Sequence, residues 1–253
     1  NVKISRKNYF RLKKIVDKHD IGTIKMEVLR NHGPTDNFLQ KVRDLATAKG
    51  IVLIFDECTS GFRQTFGGIH KEFGVEPDIA MYGKTLGNGY GITAVVGKKD
   101  IMNAAQKTFI SSTFWTERIG PSAALATLEV MEEIKSWELI TKTGKNITNK
   151  WKDMASSLDL DIVTSGLPSL SVFSFSSTNN LKYKTLITQE MLKSNILASN
   201  VIYPSISHTE KLTSIYFEKL NEIFKIIKKC ENGSDIRKYL KSKTSLKDFK
   251  RLN

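Results

Sequence analysis

The chain has 253 residues, 40% of them hydrophobic, and a formal net charge of +13. That length suits one large domain or a domain with a smaller companion, and no apolar run approaches the roughly 18 residues of a membrane span. The charge excess is terminal, with seven Lys/Arg against two acids in residues 1–20 and eleven against four in residues 219–253. It reads as solvated helix faces. Without interleaved aromatics or a known module it gives no case for a nucleic-acid partner.

The spacing of Tyr9, Leu12, Ile15 and Val16 predicts an amphipathic helix over 5–19, and Ile21–Leu29 reads as a strand. Thr35 or Asp36 can cap a helix that Gly50 ends, with Phe38, Leu39, Val42, Leu45 and Ala46 on its apolar side. The strand 51–55 follows at once. Helix, strand, helix, strand in this order predicts an α/β domain with a mostly parallel sheet and crossover helices. Short strands are expected at Ile79–Tyr82 and Tyr90–Val96, a short helix from Asp100, and an extended segment at Thr108–Phe114. Pro121 opens a long helix to Trp137, continued over 138–158. Beyond about 160 the pattern alternates apolar and polar in Ile162-Val163 and Leu170–Phe175. With helices over 184–195 and 209–229, this predicts a smaller α+β domain. The expected division is 1–137 for the large domain, 138–230 for the small one, and a polar, basic tail over 231–253.

Two residues stand at strand ends. The strand 51–55 closes in Asp56-Glu57, and Ile79–Tyr82 leads through Gly83 to Lys84. An exposed turn lysine and a structural ion pair or helix cap would explain each of these alone. Gly-Lys-Thr at 83–85 imitates a phosphate loop, but the required glycine five positions earlier is replaced by Asp78, and that reading fails. An acid and a lysine at neighbouring strand ends can instead hold a pyridoxal-phosphate ring, the lysine as Schiff base and the acid against the ring nitrogen. Gly87, Gly89 and Gly91 suit either close approach to a ligand or a flexible loop. Cys58 and Cys230 match no metal or redox spacing, so no metal site and a reduced, cytoplasmic setting are expected.

The blocks Ile54-Phe55-Asp56-Glu57-Cys58-Thr59-Ser60-Gly61-Phe62-Arg63, Gly74-Val75-Glu76-Pro77-Asp78-Ile79 and Gly83-Lys84-Thr85-Leu86-Gly87-Asn88-Gly89 resemble the class III (subgroup II) aminotransferases. The likeness is to the branch with glutamate-1-semialdehyde aminomutase. It implies a fold-type I transferase with pyridoxal 5′-phosphate as cofactor. Lys84 would then be the Schiff-base lysine, Asp56 the partner of the pyridinium and Cys58 the residue on the ring face, where the family usually has Val. Thr113 would reach the phosphate of a neighbouring subunit in a homodimer, with Thr116 as rival, and Asn31 would lie near the phenolic oxygen. Glu27 stands where the family has the acid of a Glu-Pro strand end, but Val28 replaces the Pro, and Gly91 stands where Pro is usual. The resemblance also implies that the phosphate cup and the stacking aromatic residue precede residue 1, so that the large domain is incomplete at its N-terminus. The expected reaction is transamination between an amino donor and an oxo or aldehyde acceptor. An intramolecular aminomutase and an inactive or partner-dependent fragment are the alternatives.

Overall fold

The computed structural model describes residues 8–29, 32–110, 114 and 116–246. The chain divides into two units, Asn1–Glu138 and Leu139–Asn253.

The first unit opens with α1 (Tyr9–Lys18), whose first turn is closed by the Asn8 side chain accepting from the Arg11 amide at 2.9 Å. Such a cap satisfies one of the four unpaired amides of a helix start. The helix buries Leu12 and Val16. β1 (Thr23–Met26) follows, then α2 (Phe38–Ala48), which buries the five apolar residues of its predicted face. Gly50, at φ +64°, turns the chain out of α2 and into β2 (Val52–Asp56). β3 (Ile79–Tyr82) and β4 (Ala94–Gly97) complete a sheet of order β1-β2-β3-β4. The first three strands are parallel and β4 is antiparallel to β3.

Two sequence expectations give way here. The strand predicted from Tyr90 starts only at Ala94, because the Tyr90 amide closes a turn onto the Gly87 carbonyl at 3.0 Å. The β2–β3 crossover contains only a 3-10 turn, Ile69–Phe73, where a crossover helix is the usual solution. A buried carboxylate organises that turn. Glu57 accepts from the His70 backbone amide at 3.1 Å, sits 2.9 Å from His70 Nδ1, and takes the Ser60 hydroxyl. A buried charge needs such partners.

After β4 come α3 (Lys99–Asn103), α4 (Ile119–Ile134) and α5 (Ser136–Ser157). Helix α4 starts two residues before Pro121. The Glu117 carboxylate accepts from the Ile119 amide and from the Gly120 amide, the latter at 3.1 Å, and so caps it.

The second unit pairs β5 (Ile162–Ser165), β6 (Ser171–Phe175) and, after α6 (Asn180–Lys193), β7 (Val201–Ile202), all antiparallel. α7 (Glu210–Glu231) closes the layer. Trp151, Phe173 and Phe224 are fully buried, with centroids 4.7 Å apart for the first pair and 5.8 Å for the second. The Trp151 indole donates to the Tyr216 hydroxyl at 2.9 Å. The segment expected as a tail is instead docked on α6 as far as Ser245. Ile236 is buried, the Lys241 amide donates to the Gln189 side chain at 2.7 Å, and the Ser245 amide donates to Thr185 at 2.9 Å. Polar side chains of α6 satisfy the backbone of a strap whose composition reads as solvent-exposed.

Candidate active site

In a parallel sheet the carboxyl ends of neighbouring strands open on one edge, the usual ligand edge of α/β folds. Asp56 is the last residue of β2 and pairs in register with Met81 of β3. The Glu57 amide extends the pairing to the Met81 carbonyl at 2.9 Å. Lys84 lies just beyond, past Tyr82 and Gly83. Because β4 is antiparallel, its start adjoins the same edge, with Ala94 opposite Tyr82.

Lys84 has φ +48°. A left-handed conformation costs a non-glycine residue about 1–2 kcal/mol, and such residues collect at functional sites. The side chain is exposed, and its Nζ donates to Thr59 Oγ1 at 2.7 Å. The three glycines that follow have separate duties. A Cβ at Gly87 would collide with the Tyr90 carbonyl oxygen, Gly89 has φ +109°, and Gly91 has open space around it.

Asp56 keeps 24% of its side chain exposed. Oδ1 accepts from the Cys58 amide at 3.2 Å, and Oδ2 lies 3.0 Å from Lys25 Nζ. Burial alone would raise its pKa, but the Lys25 ammonium and the Cys58 contacts outweigh burial and hold the carboxyl below its ordinary value. The Cys58 thiol is half-buried and is pushed up by burial and by Asp56. Gly83 lies close by: a Cβ there would make ordinary contact with Cys58 Sγ at 3.5 Å and a tight one with Thr93 Cγ2 at 3.3 Å.

The structure therefore brings Asp56, Cys58 and Lys84 to one sheet edge. Thr113 and Asn31 lie outside the described residues, and Thr116 is exposed in a turn. Sequence reasoning missed Thr59 and Lys25. Thr59 sits inside the motif, but nothing local in the sequence marks it as the partner of Lys84. Lys25 lies within the predicted strand Ile21–Leu29, where a charge in the middle of β1 is itself a signal.

An anion at one strand end, a primary amine at the next and a side-chain-free residue between them form a donor set that fits pyridoxal phosphate. The amine can meet its carbonyl and the anion its ring nitrogen.

Comparison with known proteins agrees. The sequence profile of the class-III aminotransferases matches residues 31–230. The chain is 31% identical to the 3-aminobutyryl-CoA aminotransferase of Cloacimonas acidaminovorans over 202 residues, 78% of this chain and 49% of that protein. It is 29% identical to the glutamate-1-semialdehyde 2,1-aminomutase of Hyperthermus butylicus over 237 residues, 85% of this chain and 56% of that protein. The FumI protein of Sphingopyxis sp. MTA144, solved in its PLP internal aldimine form, superimposes with a TM-score of 0.83 at 20% identity, over 90% of this chain and 57% of its own. The fold is thus that of the fold-type I transaminases. The chain spans about half the length of the curated relatives it matches.

Proposed function

The chain belongs to the class-III aminotransferases, and from that membership we propose that it carries the amine-and-carboxylate half of a pyridoxal 5′-phosphate site. The enzyme it serves moves an amino group from an amino donor to an oxo or aldehyde acceptor. The family and its loaded structural relatives indicate that cofactor. The observation that carries the reading is Lys84, held in a left-handed conformation at the end of β3, beside the strand that ends in Asp56.

Lys84 would hold the cofactor through Nζ, Asp56 would hold its ring nitrogen, and Cys58 with Gly83 would border the ring. When bound, pyridoxal phosphate supplies the electron sink for charge that develops at the substrate's amino-bearing carbon. The remaining work falls to the chain. Lys84 Nζ takes the proton from that carbon and later returns one. Thr59 Oγ1, 2.7 Å away, fixes where the amine waits. Asp56, held below its ordinary pKa, would offer the ring nitrogen an anion, which favours its protonated form. Thr113 would reach the phosphate held by the partner subunit of a homodimer, and Asn31 would stand beside the phenolic oxygen.

The aminomutase relatives favour a second reading, in which the same residues move the amino group within one molecule. Incubation with candidate donors and no acceptor separates the two. Release of an oxo product supports transamination, and an isomer with no free oxo product supports the mutase.

The test of the site itself is the visible absorbance of the full chain with pyridoxal phosphate. A band that appears in the wild type and is absent from Lys84→Ala supports the proposal. A borohydride-reducible adduct that survives Lys84→Ala overturns it. A 253-residue chain that takes up cofactor only alongside a longer chain would assign the rest of the site to that partner.

A further inference from the structure

We infer that Lys25 is a positioning residue that competes with the cofactor's ring nitrogen for Asp56. The inference rests on the pyridoxal-phosphate reading above and gives work to a residue that reading leaves idle. Lys25 is the third residue of β1 and stands opposite Ile54 in the parallel register. Asp56 lies two residues beyond Ile54, so it projects from the same face of the sheet. The lysine's four-carbon stem spans that diagonal and brings Nζ to 3.0 Å from Oδ2. The other oxygen already accepts from the Cys58 amide at 3.2 Å.

Both oxygens of Asp56 are therefore engaged by the chain's own groups. A carboxylate keeps further lone pairs, so a protonated ring nitrogen can still bind. It would then share the carboxylate with an ammonium, and two cations on one anion repel. Lys25 thus opposes protonation of the ring nitrogen and loosens the cofactor. The lysine is half exposed, 50% by side chain, so water and salt can draw it away. The competition weakens as ionic strength rises.

Lys25→Met removes the competing charge, Lys25→Gln does so while keeping a polar side chain on the strand, and Lys25→Arg keeps the charge. Pyridoxal phosphate labelled with 15N at the ring gives two readouts, the dissociation constant and the ring-nitrogen chemical shift. The expected result is a dissociation constant roughly two- to fivefold lower in Lys25→Met and Lys25→Gln at low salt, the scale of a partly exposed ion pair. The gap should close at about 1 M salt. The 15N shift should move toward the protonated position in both neutral variants and stay at the wild-type value in Lys25→Arg. A merely structural lysine would leave that shift unmoved. Equal or weaker binding in both neutral variants, or an unchanged 15N shift, overturns the inference while a normal Lys84 adduct leaves the parent reading standing. A wild type that forms no adduct overturns both.

Discussion

Gly61→Ala tests whether packing behind the motif sets the position of Lys84. A Cβ at Gly61 would stand 2.7 Å from Tyr82 Cδ1 and 2.8 Å from the Glu57 carbonyl oxygen, where ordinary contact begins at 3.4 Å. Neither neighbour is free to yield. Tyr82 packs on Phe62 with centroids 5.2 Å apart, and the Glu57 carbonyl accepts from the Gly61 amide at 2.8 Å. Forcing a methyl into such a contact costs about 1–3 kcal/mol, and a protein of this size loses about 3 °C in thermal midpoint per kcal/mol. The displaced Tyr82 is two residues from Lys84, so the amine moves with it. Misplacement approaching 1 Å slows a positioned reaction roughly ten- to hundredfold. Urea unfolding measures the first effect, and the rate at which the visible band appears with pyridoxal phosphate measures the second. Gly91→Ala is the control, because nothing lies within 4 Å of its Cβ position. A Gly61→Ala variant with wild-type stability and rate would refute the reasoning, as would a Gly91→Ala variant damaged to the same degree.

Trp151→Phe removes the donor to the buried Tyr216 hydroxyl and should destabilise the chain by about 1–3 kcal/mol in urea; a smaller loss would mean that Tyr216 finds another partner. Asp78 is 7% exposed, and burial alone would raise its pKa, but the Leu53 amide at 2.8 Å, Lys98 at 2.7 Å and Arg43 at 2.9 Å hold it below 3.8. A depressed folded pKa means that its stabilisation is full above 3.8 and fades as pH falls through the lower folded value. The stability gap between wild type and Asp78→Asn should therefore be wide at neutral pH and narrow in acid; a gap independent of pH would contradict the assignment. If Thr113 closes the partner's phosphate site, dilution that splits a dimer should release cofactor in parallel, and a proven monomer that retains cofactor would exclude the shared site.

The fold was legible wherever one periodicity ran long enough. The apolar face of α2 and the run 51–55 have no other reading, and α7 shows its helical face over its full length. What escaped was set by contacts distant in sequence. The β2–β3 connection is organised by Glu57 meeting His70 across 13 residues, a pairing invisible to any local window. The start of β4 depended on the turn that Gly87 and Tyr90 close. The strap over 236–245 looks polar because its partners are the side chains Gln189 and Thr185 on α6. The candidate site divides in the same way. Asp56 and Lys84 were legible because each ends an apolar strand, which is costly for an unassigned charge. Lys25 was not, because its contact with Asp56 depends on the parallel register that sets it two residues from Asp56, and strand order cannot be read from periodicity. Thr59 became a partner of Lys84 only once both strand ends were in place.

One amine among many, that of Lys84, is proposed to bind the cofactor. Borohydride reduction of the full chain with pyridoxal phosphate, followed by proteolysis and mass mapping, tests it directly. A single stoichiometric adduct is expected on the peptide that carries Lys84, absent when that residue is Ala. Stoichiometric labelling of another lysine would contradict it, above all of Lys25, whose Nζ already lies 3.0 Å from Asp56.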